Sequence, residues 1–263
     1  MHDPEYLWNI ICDEARELSQ QEPLLHAFFE ASVLSHQNLA SAVIHRLATA
    51  LDQSVLQVPA FPTICATAVS DDADILRNFC RDLEAYVARD AACDRYILPL
   101  LYFKGYPALQ LQRICHWLWG RKQRILALFL HSKMTENFAV DIHPGAKIGG
   151  GIMLDHATGL VIGETAVVGD NVSILHSVSL GGSGVQRGDR HPKIGHGVLI
   201  AAGAKILGNV TVGDGVKVGA GSLVLESVPP HVTVAGVPAR VVGVPQETLP
   251  ALEMDQYLDS NDA

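Results

Sequence analysis

The sequence predicts an α + β chain: an all-helical N-terminal domain over residues 1–137, then a parallel β-helix over 138–244. Three observations predict it. Apolar residues recur at every sixth position, at Ile194, Ile200, Ile206, Val212, Val218 and Val224, and an earlier run keeps the same step at Ile162, Val168, Ile174 and Leu180. A small or apolar companion precedes these marks by two positions, at Val198, Ala204, Val210, Val216 and Ser222, and glycine follows at Gly195, Gly213 and Gly219. Near Phe138, helical stripes give way to glycine and β-branched residues.

A period of six fits neither the 3.6 residues of a helical turn nor the two-residue alternation of one long strand; it marks short strands separated by turns. Three hexads close a triangular coil of about 18 residues, with Ile and Val stacking inward as a narrow apolar core. Six-spacing this regular argues against a β-sandwich with evenly spaced turns. The register breaks twice. Ile142, Ile148, Leu154 and Leu160 keep one phase, and the phase beginning at Ile162 is displaced by two. The step from Leu180 to Ile194 is 14 residues, two more than two hexads, and holds GGSGVQRGDRHPK. A polar, glycine-rich insertion in a solenoid is expected to bulge outward as a functional loop.

Tyr6, Ile10, Ala15 and Leu18 form a first stripe, and Pro23 opens a second helix with Leu25, Phe28, Phe29 and Val33. Residues 38–51 form a third, 54–62 a connection, and 71–88 an amphipathic helix started by the Asp71–Asp72 pair. Residues 89–99 read as a loop, and 107–120 and 121–132 as two helices split at Gly120. Tyr102, Phe103, Tyr106, Trp117 and Trp119 are assigned to packing. Residues 245–263 are expected to be a flexible tail.

The 263 residues suit one or two domains, and 48% hydrophobic content with a net charge of −9 marks a foldable chain. That charge excludes a nucleic-acid binder relying on global basicity, although a few local cations would suffice for a phosphorylated ligand. Five cysteines, all before the repeat and without CxxC spacing, indicate neither disulfides nor zinc but buried thiols in the cytoplasm. No signal peptide and no membrane span are expected.

Six of the twelve histidines follow residue 135: His143, His156, His176, His191, His196 and His231. Asp141 and His156 stand out. They lie 15 residues apart, close to one coil, so neighbouring coils can present both on one side. A carboxylate beside an imidazole fixes its tautomer and raises its basicity, which suits removal of a hydroxyl proton.

The segments VDIHPGAKIG, GIMLDHATG, GDRHPKIG, GAKILGN and AGVPARVVG, with PLLYFKG and HWLW in the helical half, resemble bacterial serine O-acetyltransferases over nearly the whole chain. AGVPAR marks only the wider hexapeptide acyltransferase group; DHATG with GDRHPKI is narrower. The resemblance implies a left-handed β-helix and transfer of acetyl from acetyl-CoA to the L-serine hydroxyl, for cysteine biosynthesis. It implies His156 as general base with Asp141 as its orienting partner. Asp90 and Asp155 would hold the amino group, and Arg190 and His191 the carboxylate. Arginine suits that task because its planar fork binds carboxylate bidentately.

Acetyl-CoA would lie in a groove between neighbouring β-helices. Gly182, Ser183, Ala202 and Ala220 would admit pantetheine close to the backbone, and Lys217, with Lys205 and Arg240, would offer cations to the phosphates. No metal is expected, and transfer is direct, since the repeat domain holds no cysteine to carry an acyl group. The resemblance further implies feedback inhibition by L-cysteine, and trimers joined through their helical halves into a hexamer. The family's terminal isoleucine, which enters O-acetylserine sulfhydrylase, is absent from the ending DQYLDSNDA, so that complex is not expected. Other readings are another acceptor (homoserine or a sugar), a zinc-dependent lyase of the γ-carbonic-anhydrase kind using His143, His156, His176, His191 or His196, and a non-catalytic scaffold.

Overall fold

The computed structural model describes residues 3–51, 60–184 and 187–257. Helix α1 (Pro4–Gln21) starts from the Asp3 side chain, which accepts from the Glu5 amide, and α2 (His26–Phe29) follows Pro23. Helix α3 (Leu39–Ala50) opens with a capping box between Asn38 and Ser41. Most of the expected connection lies outside the described residues; its end, 60–62, belongs instead to α4 (Ala60–Asp71). That helix escaped the sequence reading because its Thr, Ala and Ser give only a weak apolar stripe. Helix α5 (Ala73–Arg89) is capped by Asp72, and α6 (Ile97–Leu101) shortens the expected loop. Helix α7 (Gly105–Gly120) is buried around nearly its whole circumference, so it is the axis of the helical domain. Helix α8 (Arg124–Phe138) ends at Ala139, whose φ of 54° turns the chain into the first strand.

The strands form three parallel walls of a prism. The first wall holds β1 (Val140–Ile142), β4 (Leu160–Ile162), β7 (Ser179–Gly181), β10 (Lys205–Leu207) and β13 (Leu223–Val224). The second holds β2 (Lys147–Ile148), β5 (Val167–Val168), β8 (Lys193–Ile194) and β11 (Thr211–Val212). The third holds β3 (Met153–Leu154), β6 (Ser173–Ile174), β9 (Leu199–Ile200), β12 (Lys217–Val218) and β14 (Thr233–Gly236), the last closed by an antiparallel β15 (Ala239–Gly243). The six-spaced residues Ile162, Val168, Ile174, Leu180, Ile194, Ile200, Ile206, Val212, Val218 and Val224 are all buried, as inward-facing positions of such a prism must be.

Both register breaks have a place. Ile142 stands opposite Ile162, but Ile162 stands opposite Leu180, so the first coil is two residues longer than the next. The excess falls at the corner 155–159, between the third and first walls. Leu180 and Ile194 sit on consecutive walls, one hexad apart in the fold, so the second insertion is eight residues and not two.

The helical domain is fastened to the third wall through buried polar groups. Asp82, fully buried, accepts from Arg113 at 2.7 Å, from Gln110 at 3.1 Å and from the Ile152 amide at 2.9 Å. The Tyr86 hydroxyl donates to the Leu154 carbonyl at 2.9 Å and accepts from its amide at 3.2 Å. A Cβ on Gly105 would come within 2.3 Å of the same carbonyl, so only glycine lets α7 lie this close. Residues 245–257, expected to be a loose tail, instead cover the third wall. Helix α9 (Pro250–Glu253) takes the Ser173 hydroxyl on the Ala251 carbonyl at 2.9 Å, and Leu249 packs on Gly197.

Candidate functional site

The long corner after β3 carries His156 and Ala157 at φ of 53° and 56°, a left-handed conformation that L-residues seldom adopt. It is held by amides of Ala157 and Thr158 donating to the carbonyls of Asp155 and His156. The turn throws the His156 ring outward, 76% exposed, with its Nε2 3.8 Å from Asp155. It opens onto a cleft of 490 Å³ lined by Tyr86, Asp90, Tyr102, Lys104, Asp155 and Thr158. Asp90 stops α5, where its carboxylate accepts from the Ala92 amide at 2.9 Å. Lys104 donates to the Thr158 hydroxyl at 2.5 Å. Burial pushes the Asp155 carboxyl above its ordinary value, His156 pulls it down, and Asp90 pushes it up. Asp90, Asp155 and His156 therefore share one acidic pocket.

Asp141 is not in it. With 20 residues in the first coil, Asp141 stands opposite Val161, and His156 is left at the corner before β4. A spacing of 15 brings the two together only in an 18-residue coil, and the first coil is two residues longer than the next. Within one chain the Asp141 carboxylate goes instead to His131 of α8, at 2.7 Å, and that hydrogen bond holds it below the usual carboxylate range. His143 lies beside this pair, its ring centroid 5.9 Å from that of His131 and 5.0 Å from that of Trp119. Burial lowers the His143 pKa.

Arg190 and His191 join this second cluster, not the first. The loop returns so that Arg190 pairs with Glu164 at 2.9 Å, and the Thr165 hydroxyl accepts from the amides of both Arg190 and His191. The buried His191 ring sits over Gly163, and its Nδ1 meets the Thr165 hydroxyl at 2.9 Å. A Cβ on Gly163 would lie 2.1 Å from that ring. Burial, then Arg190, lowers the His191 pKa. Sequence reasoning missed Glu164, Thr165 and His131. The available signal was a carboxylate and a hydroxyl directly after Gly163, one coil from the GDRHPK loop.

The two clusters occupy opposite edges of the first wall: Asp155 and His156 before it, Arg190 and His191 after it. The small residues follow the same division. Amide-to-carbonyl bonds link Gly203 to His176 and Gly221 to Ala202, so His156, His176, Ala202 and Ala220 descend one corner coil by coil. Gly182 and Ser183 lie on the other, where Ser183 lines a cleft of 440 Å³ with Leu207, Gly208, Asn209 and Leu225. Lys217 departs from expectation. It faces out from the third wall, is 4% exposed, and pairs with Asp255 at 3.1 Å under the docked tail, so it cannot reach a phosphate. Lys205 is spent on the Ser177 carbonyl, and Arg240 is exposed on the closing hairpin. Among the described residues, no three His, Cys, Asp or Glu side chains converge as metal ligands would.

Comparison with known proteins bears on this arrangement. Residues 7–111 match the family model "Serine acetyltransferase, N-terminal", and residues 191–226 match "Bacterial transferase hexapeptide (six repeats)". The serine acetyltransferase of Escherichia coli K12 is 52% identical over 255 residues, covering 97% of this chain and 93% of that protein. A serine acetyltransferase solved in complex with cysteine superposes with a TM-score of 0.94 at 46% identity, covering 97% of this chain and 99% of that one. That of Brucella abortus strain S19, solved with coenzyme A, gives 0.89 at 47% identity, covering 92% and 96%.

Proposed function

The chain belongs to the serine acetyltransferase family, and on that footing we infer how its residues carry acetyl from acetyl-CoA to the hydroxyl of L-serine, giving O-acetylserine and CoA. One observation carries the assignment of residues. An acidic pocket beside an exposed imidazole lies on one edge of the first wall, and a basic pair lies on the other. A zwitterionic amino acid needs both poles at once, and one prism cannot bring its two edges together. Two prisms side by side can.

Serine therefore lies between protomers. Its ammonium group meets Asp90 and Asp155 of one, and its carboxylate meets Arg190 and His191 of the next. Arg190 turns its fork from Glu164 toward the substrate, while His191 is held by Thr165. His156 takes the hydroxyl proton, and the serine oxygen attacks the thioester carbonyl. The tetrahedral adduct collapses by breaking the carbon–sulfur bond, and CoA leaves with the proton returned by His156. Asp141 of the neighbouring protomer, 44% exposed at the same interface, orients the His156 ring. Pantetheine runs down the corner past Ala202 and Ala220, facing Gly182 and Ser183 across the groove, and Arg240 is the cation nearest the open end.

This reading makes the working unit a trimer. Leu24 and Leu25, 97% and 41% exposed on the helical domain beside Phe28, form the apolar contact that joins two trimers into a hexamer. L-cysteine presents the same ammonium and carboxylate with a thiol in place of the hydroxyl, so it competes at this site as a feedback inhibitor. No described helix is long and apolar enough to cross a membrane, and the five cysteines are free and buried, which suits the cytoplasm.

An acceptor screen with acetyl-CoA tests the substrate: serine should outrun homoserine and sugars, and a faster alternative acceptor overturns it. H156A should lower kcat by about 10²–10⁴-fold with the fold intact. Near-normal turnover would reject the base.

A further inference from the structure

His131 makes the only hydrogen bond to the Asp141 carboxylate among the described residues, and the reaction as derived gives it no task. Its Nε2 lies 2.7 Å from Asp141 Oδ1. An ionised carboxylate only accepts, so Nε2 carries the hydrogen. Val140 and Ile142 are buried on either side, which turns the Asp141 side chain outward from the first wall. Its second oxygen, Oδ2, has no partner among the described residues, and the side chain is 44% exposed.

The two residues meet because α8 turns directly into β1. Ala139 reverses the chain at a φ of 54°. The Thr135 hydroxyl, one helical turn after His131, lies 3.1 Å from the His131 carbonyl and 3.4 Å from that of Val140, and so ties helix to strand. The His131 ring is itself wedged in place. It is 17% exposed and flanked by His143, which in turn lies edge-on to Trp119 at 5.0 Å. Without this donor, an outward-pointing aspartate would turn among several staggered rotamers. With it, one rotamer is selected. The same bond holds the carboxyl below its ordinary value, so Asp141 stays an anion.

This inference rests on the reading that Asp141 orients His156 of the neighbouring protomer. An aspartate that steers an imidazole must present one oxygen in a fixed direction, because a small displacement of the base from the hydroxyl costs rate steeply. We propose that His131 is a positioning residue for the proton transfer: it grips Asp141 by Oδ1 and thereby aims Oδ2 at the His156 ring of the neighbouring protomer. No covalent bond forms or breaks at His131, and it touches neither substrate.

The test uses the full-length assembled enzyme. H131L fills the space and loses the donor; its kcat should fall about 10–10²-fold, with KM for serine and acetyl-CoA within about threefold of the parent. H131Q returns an N–H at the reach of Nε2 and should recover kcat to within about threefold of the parent. A role in packing alone would slow every background alike. Because His131 acts through Asp141, H131L should change the kcat of D141A by less than about twofold. The proposal fails if H131L keeps more than about half of the parent kcat, if the loss appears in KM instead, if H131Q is as slow as H131L, or if H131L slows D141A as much as it slows the parent. If leucine disturbs the fold, seen as a lowered melting temperature, H131A carries the same expectations. D141A by itself separates the two ideas: normal turnover removes the Asp141 role and this inference with it, whereas a slow D141A beside a parent-like H131L removes only His131.

Discussion

Gly163 is missing a side chain because the His191 ring takes its place. Any Cβ there meets the imidazole at 2.1 Å, and the ring, buried and tied to Thr165, has little room to retreat. G163A should displace His191, raise the serine KM by about tenfold and cost about 1–3 kcal/mol of stability. A serine titration with a thermal melt checks both; unchanged KM would remove His191 from the carboxylate site. Asp155 makes the opposite compromise. Burial raises its pKa, so folding favours its protonated form, and the ionised carboxylate is a stability cost. The cost is absent below the ordinary value of 3.8 and complete above the raised folded value. D155N should therefore stabilise the protein at neutral pH, with a gain that shrinks toward acid. It should also lose a charge-assisted hydrogen bond of about 1.5–3 kcal/mol, raising the serine KM by about 10–100-fold. Melts and kinetics across pH test this, and D155N with unchanged serine KM would sink the ammonium role. Asp155 and His156 were legible through the DHATG segment that carries the resemblance, and the register break proves to fall on them. Glu164 and Thr165 were not, since a corner of any coil carries polar residues and only the returning loop gives these two work.

Hexads announce which residues face in, but say nothing of what covers the outside. The outward positions of all three walls have the same spacing, and Lys217 looked as available as Arg240. Helix α9 decides otherwise, and four residues are too few to carry a periodic signal of their own. The tail's docking rests on Leu249 at Gly197, Ala251 at Ser173, and Asp255 at Lys217. D255N should leave the Lys217 ammonium buried without its partner. Because Asp255 is 38% exposed, water screens the pair, and the loss should be about 1 kcal/mol. The KM for acetyl-CoA should not move. A KM rise without loss of stability would return Lys217 to the cofactor. The same limit explains α4, which the sequence hid, and the eight-residue insertion, whose length could be counted only once β7 and β8 were known to be consecutive. The fold class itself was legible throughout, because inward stacking imposes one spacing on every coil.

At the scale of the molecule, the proposed function divides each site between two chains. The repeat made the prism legible, but nothing in a single sequence states that one edge will meet the other edge of a second copy. Asp141 and His156, paired on spacing, separate in the fold, and Arg190 and His191 lie away from Asp90 and Asp155; a shared site would bridge both gaps. The arrangement can be tested by complementation. H156A is damaged only in the acidic half-site and R190A only in the basic one, so each alone should be nearly inactive. In a trimer assembled from an equal mixture, a junction works when the acidic half comes from R190A and the basic half from H156A. Random assembly makes about a quarter of all junctions intact, so activity should return to about a quarter of the parent's after the two variants are dissociated and reassembled together. Sites built within one chain would give no recovery at any mixing ratio, because every chain would carry one lesion in its own site.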